Sequence, residues 1–182
     1  MTKGLLKGLV LAGLGFVLVS TPAAAQIKWH LGLGVNLPQS DLSDAAIADA
    51  GTGFGAHGGA TFGLGEGPLG IKADASYESW GAGDTGENWT MIGASADLVY
   101  NFKSEGKIKP YLLAGGQWLQ FGSSADGTDT ESGIGFNAGG GLNFMLGSIG
   151  AFVEARYVMA PFDIAGQSFD LNNIPIVVGL RF

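Results

Sequence analysis

The chain alternates apolar residues with small or polar ones along eight separate segments. In the last of them, Ile174, Ile176, Val178, Leu180 and Phe182 alternate with Pro175, Val177, Gly179 and Arg181. Successive side chains of a β-strand point to opposite faces, so this period of two predicts a strand whose two faces meet different surroundings. The same alternation begins near Ile27, Phe54, Leu69, Thr90, Pro110, Ile134 and Ile149. The sequence therefore predicts an all-β fold of eight strands.

The connections between these strands alternate in length. They are long after the first, third, fifth and seventh strands, at about 37–53, 81–88, 122–132 and 161–172, and short after the others. Ten residues at ~3.3 Å each, tilted by ~40°, cover roughly 25 Å, which is the height of the apolar band of an outer-membrane barrel. Long loops at one end and tight turns at the other are typical of that architecture. The pattern predicts an eight-stranded antiparallel up-and-down transmembrane β-barrel.

The face opposite the apolar one decides which side is the lumen. It carries four basic and four acidic residues among many glycines: Lys28, Lys72, Arg156, Arg181, Asp74, Glu78, Asp97 and Glu154. A narrow lumen must pair its charges because an unpaired buried charge costs several kcal/mol. A soluble barrel of the lipocalin type would instead show the acidic excess of the whole chain on this face. We therefore expect the polar face inside and the apolar face in lipid, with Gln117 of the ambiguous 110–121 strand pointing inward.

The N-terminus has the three parts of a secretory signal peptide. Lys3 and Lys7 precede an uncharged run over 8–19, and a small-residue Ala-x-Ala end follows at 23–25. The run is shorter than the ~20 residues that a membrane-spanning helix needs. We expect a signal peptide over 1–25 and a barrel domain over 26–182. The chain contains no cysteine, so the exported protein has no disulfide bonds. Its net charge of −7 argues against a nucleic-acid partner.

Three segments within the strand pattern carry a family resemblance: Lys109–Gly116, Phe152–Tyr157 and Val178–Phe182. In these segments the chain resembles the OmpA/OmpX-like family of small outer-membrane β-barrels. It implies localisation in the cell outer membrane, contact with outer-membrane lipid and lipopolysaccharide, and a C-terminal strand that the barrel-assembly machinery reads through Phe182. Because nothing follows Phe182, we expect no peptidoglycan-binding domain.

The candidate site is a set of lumen ion pairs. Its members are Lys72, Asp74, Asp97, Glu154 and Arg156, with Arg156 placed to bridge to Asp74 or Asp97. Two interpretations stay open: neutralisation of lumen charge, which we favour, and a gate in a narrow pore. Eight strands enclose a space that side chains just fill, so diffusion of nutrients is not expected.

Catalytic and cofactor sites are not predicted. His30 and His57 both fall on the lumen face, whereas an enzyme that modifies lipid A needs its groups at the lipid boundary. The acidic loops lack the spacing of a dedicated calcium site, so we predict no metal and no cofactor. An extracellular ligand at these loops remains a candidate partner.

The sequence thus favours a non-enzymatic barrel with a structural or surface-interaction (adhesion-like) role. A narrow porin-like channel gated by lumen ion pairs is the alternative, followed by a lipid A-modifying enzyme.

Overall fold

A computed structural model of the chain describes residues 27–82, 87–123, 130–146, 149–164 and 166–182. The predicted signal peptide over 1–25 and the short connection at 147–148, which the sequence indicates as a two-residue hairpin turn, lie outside the described residues. Within the described ranges, no helix is long and apolar enough to cross a membrane.

Eight long strands form one closed antiparallel barrel. In chain order they are β1 (Ile27–Pro38), β2 (Gly53–Gly63), β3 (Leu69–Ala82), β4 (Glu87–Asn101), β5 (Ile108–Ser123), β6 (Glu131–Leu146), β7 (Ile149–Met159) and β10 (Asn173–Arg181). Consecutive barrel strands pair with each other, and β1 closes the ring on β10 with Leu33 opposite Val178. The predicted eight-stranded up-and-down barrel is confirmed.

The strands differ from the predicted ones mainly at the loop end. β3 and β4 continue to Ala82 and from Glu87, and Trp80 pairs with Trp89 where a polar loop over 81–88 is predicted to begin. At the other end β5 begins at Ile108, so Lys109 belongs to the strand and not to the preceding turn. Glycine, aspartate and lysine near these strand ends resemble turn composition, although backbone pairing continues through them.

The loop between β7 and β10 contains a further hairpin. Its strands are β8 (Pro161–Ile164) and β9 (Gln167–Asp170), and they pair Phe162 with Phe169. Strands of four residues are too short to show an alternation in the sequence. The structure thus adds a small sheet where the sequence predicts only a long loop.

The outer and inner faces of the barrel carry the apolar and polar residues, respectively, as the sequence predicts. Outward side chains such as Leu33 and Val178 are 68% and 59% exposed, whereas Gln117 points inward and is buried. Apolar residues therefore cover the outer surface and polar residues are enclosed, the reverse of a soluble barrel.

An apolar cap fills the lumen at the loop end. It consists of Leu42, Ala48, Ala50, Trp80, Met91, Leu119, Phe121, Val158, Ala160, Phe162 and Leu171, and all of these are buried. Some members face inward from the barrel strands, and others come from the loop over 39–52 and from the segment after β7. Trp89 stacks on Phe121 with ring centroids 5.3 Å apart, and Phe121 contacts Phe162 at 6.0 Å. Aromatic packing of this kind leaves little room for water.

Hydrogen bonds hold the loop over 39–52 on the cap. This loop contains a 3-10 helix at Ser40–Leu42, followed by a single hydrogen-bonded turn near 44–48. Asn172 binds the loop twice: its carbonyl accepts from the Gln39 N–H at 2.8 Å, and its side-chain amide donates to Ser40 Oγ at 3.1 Å. Trp89 Nε1 donates to the carbonyl of Ala48 at 2.7 Å. The loop is thereby fixed across the barrel mouth with Leu42 fully buried beneath it.

Candidate functional site: the barrel lumen

Five charged side chains meet in the middle of the lumen. They are Lys72 and Asp74 on β3, Asp97 on β4, and Glu154 and Arg156 on β7, and each is at most 7% exposed. The strand alternation aims all five inward, and barrel closure brings β7 opposite β3 and β4. We call this set, with its hydrogen-bond partners, the lumen network.

Arg156 contacts all three carboxylates of the network. Its Nε donates to Glu154 Oε1 at 2.7 Å, its Nη1 lies 3.3 Å from Asp97 Oδ2, and its Nη2 binds Asp74 Oδ2. A guanidinium presents donors in a rigid planar fork, so one side chain serves several carboxylates at once. Arg156 is therefore the centre of the network.

Lys72 joins the two walls of the barrel. Its Nζ lies 2.9 Å from both carboxylate oxygens of Glu154 and 3.0 Å from Asp74 Oδ2. It also lies 5.6 Å from the centre of the Phe152 ring, within the range of a cation–π contact. The ammonium group is thus enclosed by two carboxylates and an aromatic face.

Neutral side chains supply the remaining hydrogen bonds. His30 Nε2 lies 2.9 Å from Asp74 Oδ1, and Tyr111 Oη donates to Glu154 Oε2 at 2.5 Å. Asn137 and Ser95 donate to Asp97 at 2.8 and 3.0 Å. Sequence reasoning places His30 in the lumen only as filling and does not identify these other partners. Strand parity shows that they face inward, but the heights at which they meet depend on the register between strands.

Inward glycines make room for the network. A Cβ atom at Gly115 would collide with Asp97 Oδ1, and one at Gly141 would lie 2.6 Å from Tyr111 Oη. Real side chains do not approach so closely, so the bulky charged groups depend on glycine on the facing strands. This accounts for part of the high glycine content, 33 of 182 residues.

Polar groups also lie above and below the network. Towards the loops, Glu78 accepts a hydrogen bond from the Asn173 side chain, and His57 Nε2 lies 3.9 Å from Glu78 Oε1. Towards the turns, Arg181 Nη1 donates to Asn143 Oδ1 at 2.5 Å and Nη2 to Thr61 Oγ1 at 2.9 Å.

Two cavities, each of about 10 Å³, lie beside the network, and each has room for about one water molecule. The lumen is therefore filled along its length.

The described part of the chain shows no recognisable catalytic arrangement. His30 and His57 are 2% and 7% exposed and face the lumen, away from the lipid boundary. Among the described residues, no group of three or more His, Cys, Asp and Glu side chains could hold a metal ion.

Phe182 lies on the outer surface, 59% exposed, and its backbone exchanges hydrogen bonds of 2.8 and 3.0 Å with Trp29.

A closed barrel with an apolar outer surface and a charge-paired lumen defines a small integral β-barrel of the outer membrane. The family comparison agrees with this class. The chain belongs to the family described as the outer membrane protein beta-barrel domain, whose model matches residues 9–182. The resemblance to small OmpA-like barrels is thereby confirmed. No curated protein matches the chain.

Solved structures with the same fold include barrels of different kinds. Neisserial surface protein A (NspA) is 15% identical with a TM-score of 0.69, covering 86% of this chain and 97% of its own. Ail, the attachment invasion locus protein of Yersinia pestis, is 14% identical with a TM-score of 0.55, covering 86% and 97%. The outer membrane enzyme PagL is 19% identical with a TM-score of 0.51, covering 85% and 98%. Identities this low show a shared fold and do not transfer a function.

Proposed function

We propose that this protein is a non-enzymatic, non-conducting barrel with a structural or surface-interaction (adhesion-like) role. The observation that carries the proposal is the filling of the lumen by two barriers in series. Ions entering from the turn end meet the lumen network, whose cations and carboxylates already bind one another. Beyond it they meet the apolar cap, with Trp80 and Leu42 at most 1% exposed. An ion would lose its hydration at the cap without gaining polar partners.

This proposal predicts the absence of channel activity. The purified protein, refolded and inserted into planar bilayers, should give no discrete conductance steps, because both barriers must open for ions to pass. The control is a general porin reconstituted in the same bilayers, which must conduct. Reproducible steps from this protein would refute the proposal and support the alternative, a narrow channel gated by the lumen ion pairs.

A lipid A-modifying activity has less support. PagL shows that this fold accommodates an enzyme, but the two histidines of this chain are buried in the lumen. Acyl chains of lipid A run along the outer wall, where the described side chains are almost entirely apolar. No nucleophile with an adjacent base is present on that wall among the described residues.

The surface-interaction role rests on the loop end. The long loops carry aspartates and glutamates and neither lysine nor arginine. Asp41 Oδ2 accepts a hydrogen bond of 2.7 Å from the N–H of Asp170, and Asp163 Oδ1 accepts one of 2.7 Å from Ser168. Asp41 and Asp163 therefore help to order the described parts of the loops on which they lie, and the acidic excess of the loop end favours positively charged partners. The candidate partners are lipopolysaccharide, through bridging cations, and a basic extracellular ligand.

Export and assembly complete the proposal. The segment over 1–25 would direct secretion and be removed before Gln26, and the C-terminal strand would be read by the barrel-assembly machinery through Phe182. Deleting Phe182 should impair insertion in cells but leave refolding in detergent largely unchanged, because two backbone hydrogen bonds to Trp29 are a small part of the wall. Outer-membrane fractionation and refolding yield measure the two effects. Equal loss in both assays would instead assign Phe182 a role in barrel stability.

A further inference from the structure

Three basic side chains lie together at the turn end of the lumen. Lys28 on β1 and Lys109 on β5 have the same inward parity as the buried His30 and Tyr111, and Arg181 on β10 is partly buried. We call Lys28, Lys109 and Arg181 the basic ring. In an outer-membrane barrel the short turns face the periplasm, so the basic ring lines the periplasmic mouth.

Register and hydrogen bonds place the three residues next to one another. Arg181 donates to Thr61, which is the cross-strand partner of Lys28, and to Asn143, which is the cross-strand partner of Lys109. Directly opposed residues of an antiparallel pair have Cβ atoms about 5 Å apart. Arg181 therefore extends between the strand positions of the two lysines.

The basic ring differs from the lumen network in its direct contacts. Among the residues that the structure describes, no carboxylate oxygen lies within 4.0 Å of the charged nitrogens of the ring, and both partners of Arg181 are neutral. In the lumen network, by contrast, both Lys72 and Arg156 contact carboxylates. Clustered like charges repel one another, so an anion bound between these three side chains would relieve that repulsion.

We propose that the basic ring is a docking site for an acidic peptide segment on the periplasmic side of the membrane. The ring spans strands from β1 through β10 to β5, about half of the circumference. That spread exceeds a single carboxylate or phosphate and suits an extended chain that carries several carboxylates. The side chains of an eight-stranded barrel fill its interior, so such a segment would lie across the mouth and not enter the lumen.

The direction of the side chains distinguishes this partner from anionic lipid. Lipid headgroups surround the outer wall, where Trp29, Tyr100 and Phe102 are exposed. The ring faces the opposite side of that wall. Lys103 and Lys107, in the turn between β4 and β5, are exposed outside the ring and provide a matched set of basic residues that lies outside the proposed site.

The test measures binding of fluorescein-labelled hexaglutamate to the protein in phosphatidylcholine nanodiscs at low ionic strength, by fluorescence anisotropy. The double variant Lys28→Gln/Lys109→Gln should raise the Kd about tenfold, as expected for the loss of two exposed charge contacts. The control Lys103→Gln/Lys107→Gln removes the same charge and should raise the Kd less than about threefold. Circular dichroism checks that each variant forms the barrel; neither lysine of the ring is packed in the core.

Three results would overturn the proposal. Wild-type protein that does not bind hexaglutamate at millimolar concentration has no such site. Equal weakening by the two double variants would reveal attraction by net charge alone. Weakening by the outer pair only would place polyanion binding on the rim, next to the lipid headgroups. None of these outcomes depends on whether the barrel conducts.

Discussion

The Arg156→Ala variant should unfold with a free energy about 3–5 kcal/mol lower than that of the wild-type protein. Arg156 is 7% exposed and contacts Asp74, Asp97 and Glu154. Its removal leaves three buried carboxylates with Lys72 as their remaining permanent cation, and an unpaired charge inside a barrel cannot be reached freely by water. Urea titration of the protein in lipid vesicles, followed by tryptophan fluorescence, measures the change.

Two further variants show whether the loss comes from the lumen network. Lys107→Ala removes an exposed positive charge in a turn and should change the stability by less than about 0.5 kcal/mol. Adding Asp97→Asn to Arg156→Ala should recover part of the loss, because it removes one of the carboxylates that are left unpaired. If Arg156→Ala and Lys107→Ala were equally stable, the network would contribute nothing to folding.

The Trp80→Ala variant should be destabilised to a similar degree, by about 3–5 kcal/mol, because it leaves a large cavity in a packed apolar cluster. Trp80 is 1% exposed and lies in the apolar cap with Met91 and Leu42. The same urea titration measures the effect. Ile47→Ala is the control: Ile47 belongs to the loop over the cap but is 45% exposed, so its truncation should cost less than about 1 kcal/mol.

The outcome for Trp80 separates two descriptions of the loop end. A large loss of stability means that the cap is a hydrophobic core in its own right. A change as small as that of Ile47→Ala would mean that the loop residues rest on the barrel without stabilising it, and the second barrier to ions would then be a weak one.

The architecture was largely predictable because alternation and connection length act over the whole chain. Each strand repeats the same two-residue period, so errors of a few residues at the ends of β3, β4 and β5 do not change the number of strands or their faces. The direction of Asp74, Asp97 and Arg156 follows from the same parity. Parity alone, however, does not give the height of a side chain in the barrel, which depends on the register of all the strands between two residues.

The apolar cap shows where this reasoning fails. Leu42 and Phe162 come from segments without periodicity, and their burial depends on loops that fold back over the mouth. The burial of Trp80 is difficult to predict for another reason. The strand that carries it continues past Glu78 into a sequence whose composition resembles that of a loop. Non-local packing of irregular segments leaves no repeating signal in a single sequence.

The pairing of His30 on β1 with Arg181 on β10 also has a consequence for the order of folding. The two strands are the first and last of the barrel, so their hydrogen bonds cannot form until β10 has reached the membrane. Contacts between distant parts of a sequence slow folding because a long loop must close first. The salt bridges between β3 and β7 likewise depend on curvature that only a nearly complete wall provides. A partly inserted chain would therefore have two unpaired edges and unpaired interior charges, and we expect the barrel to appear in a single late cooperative step.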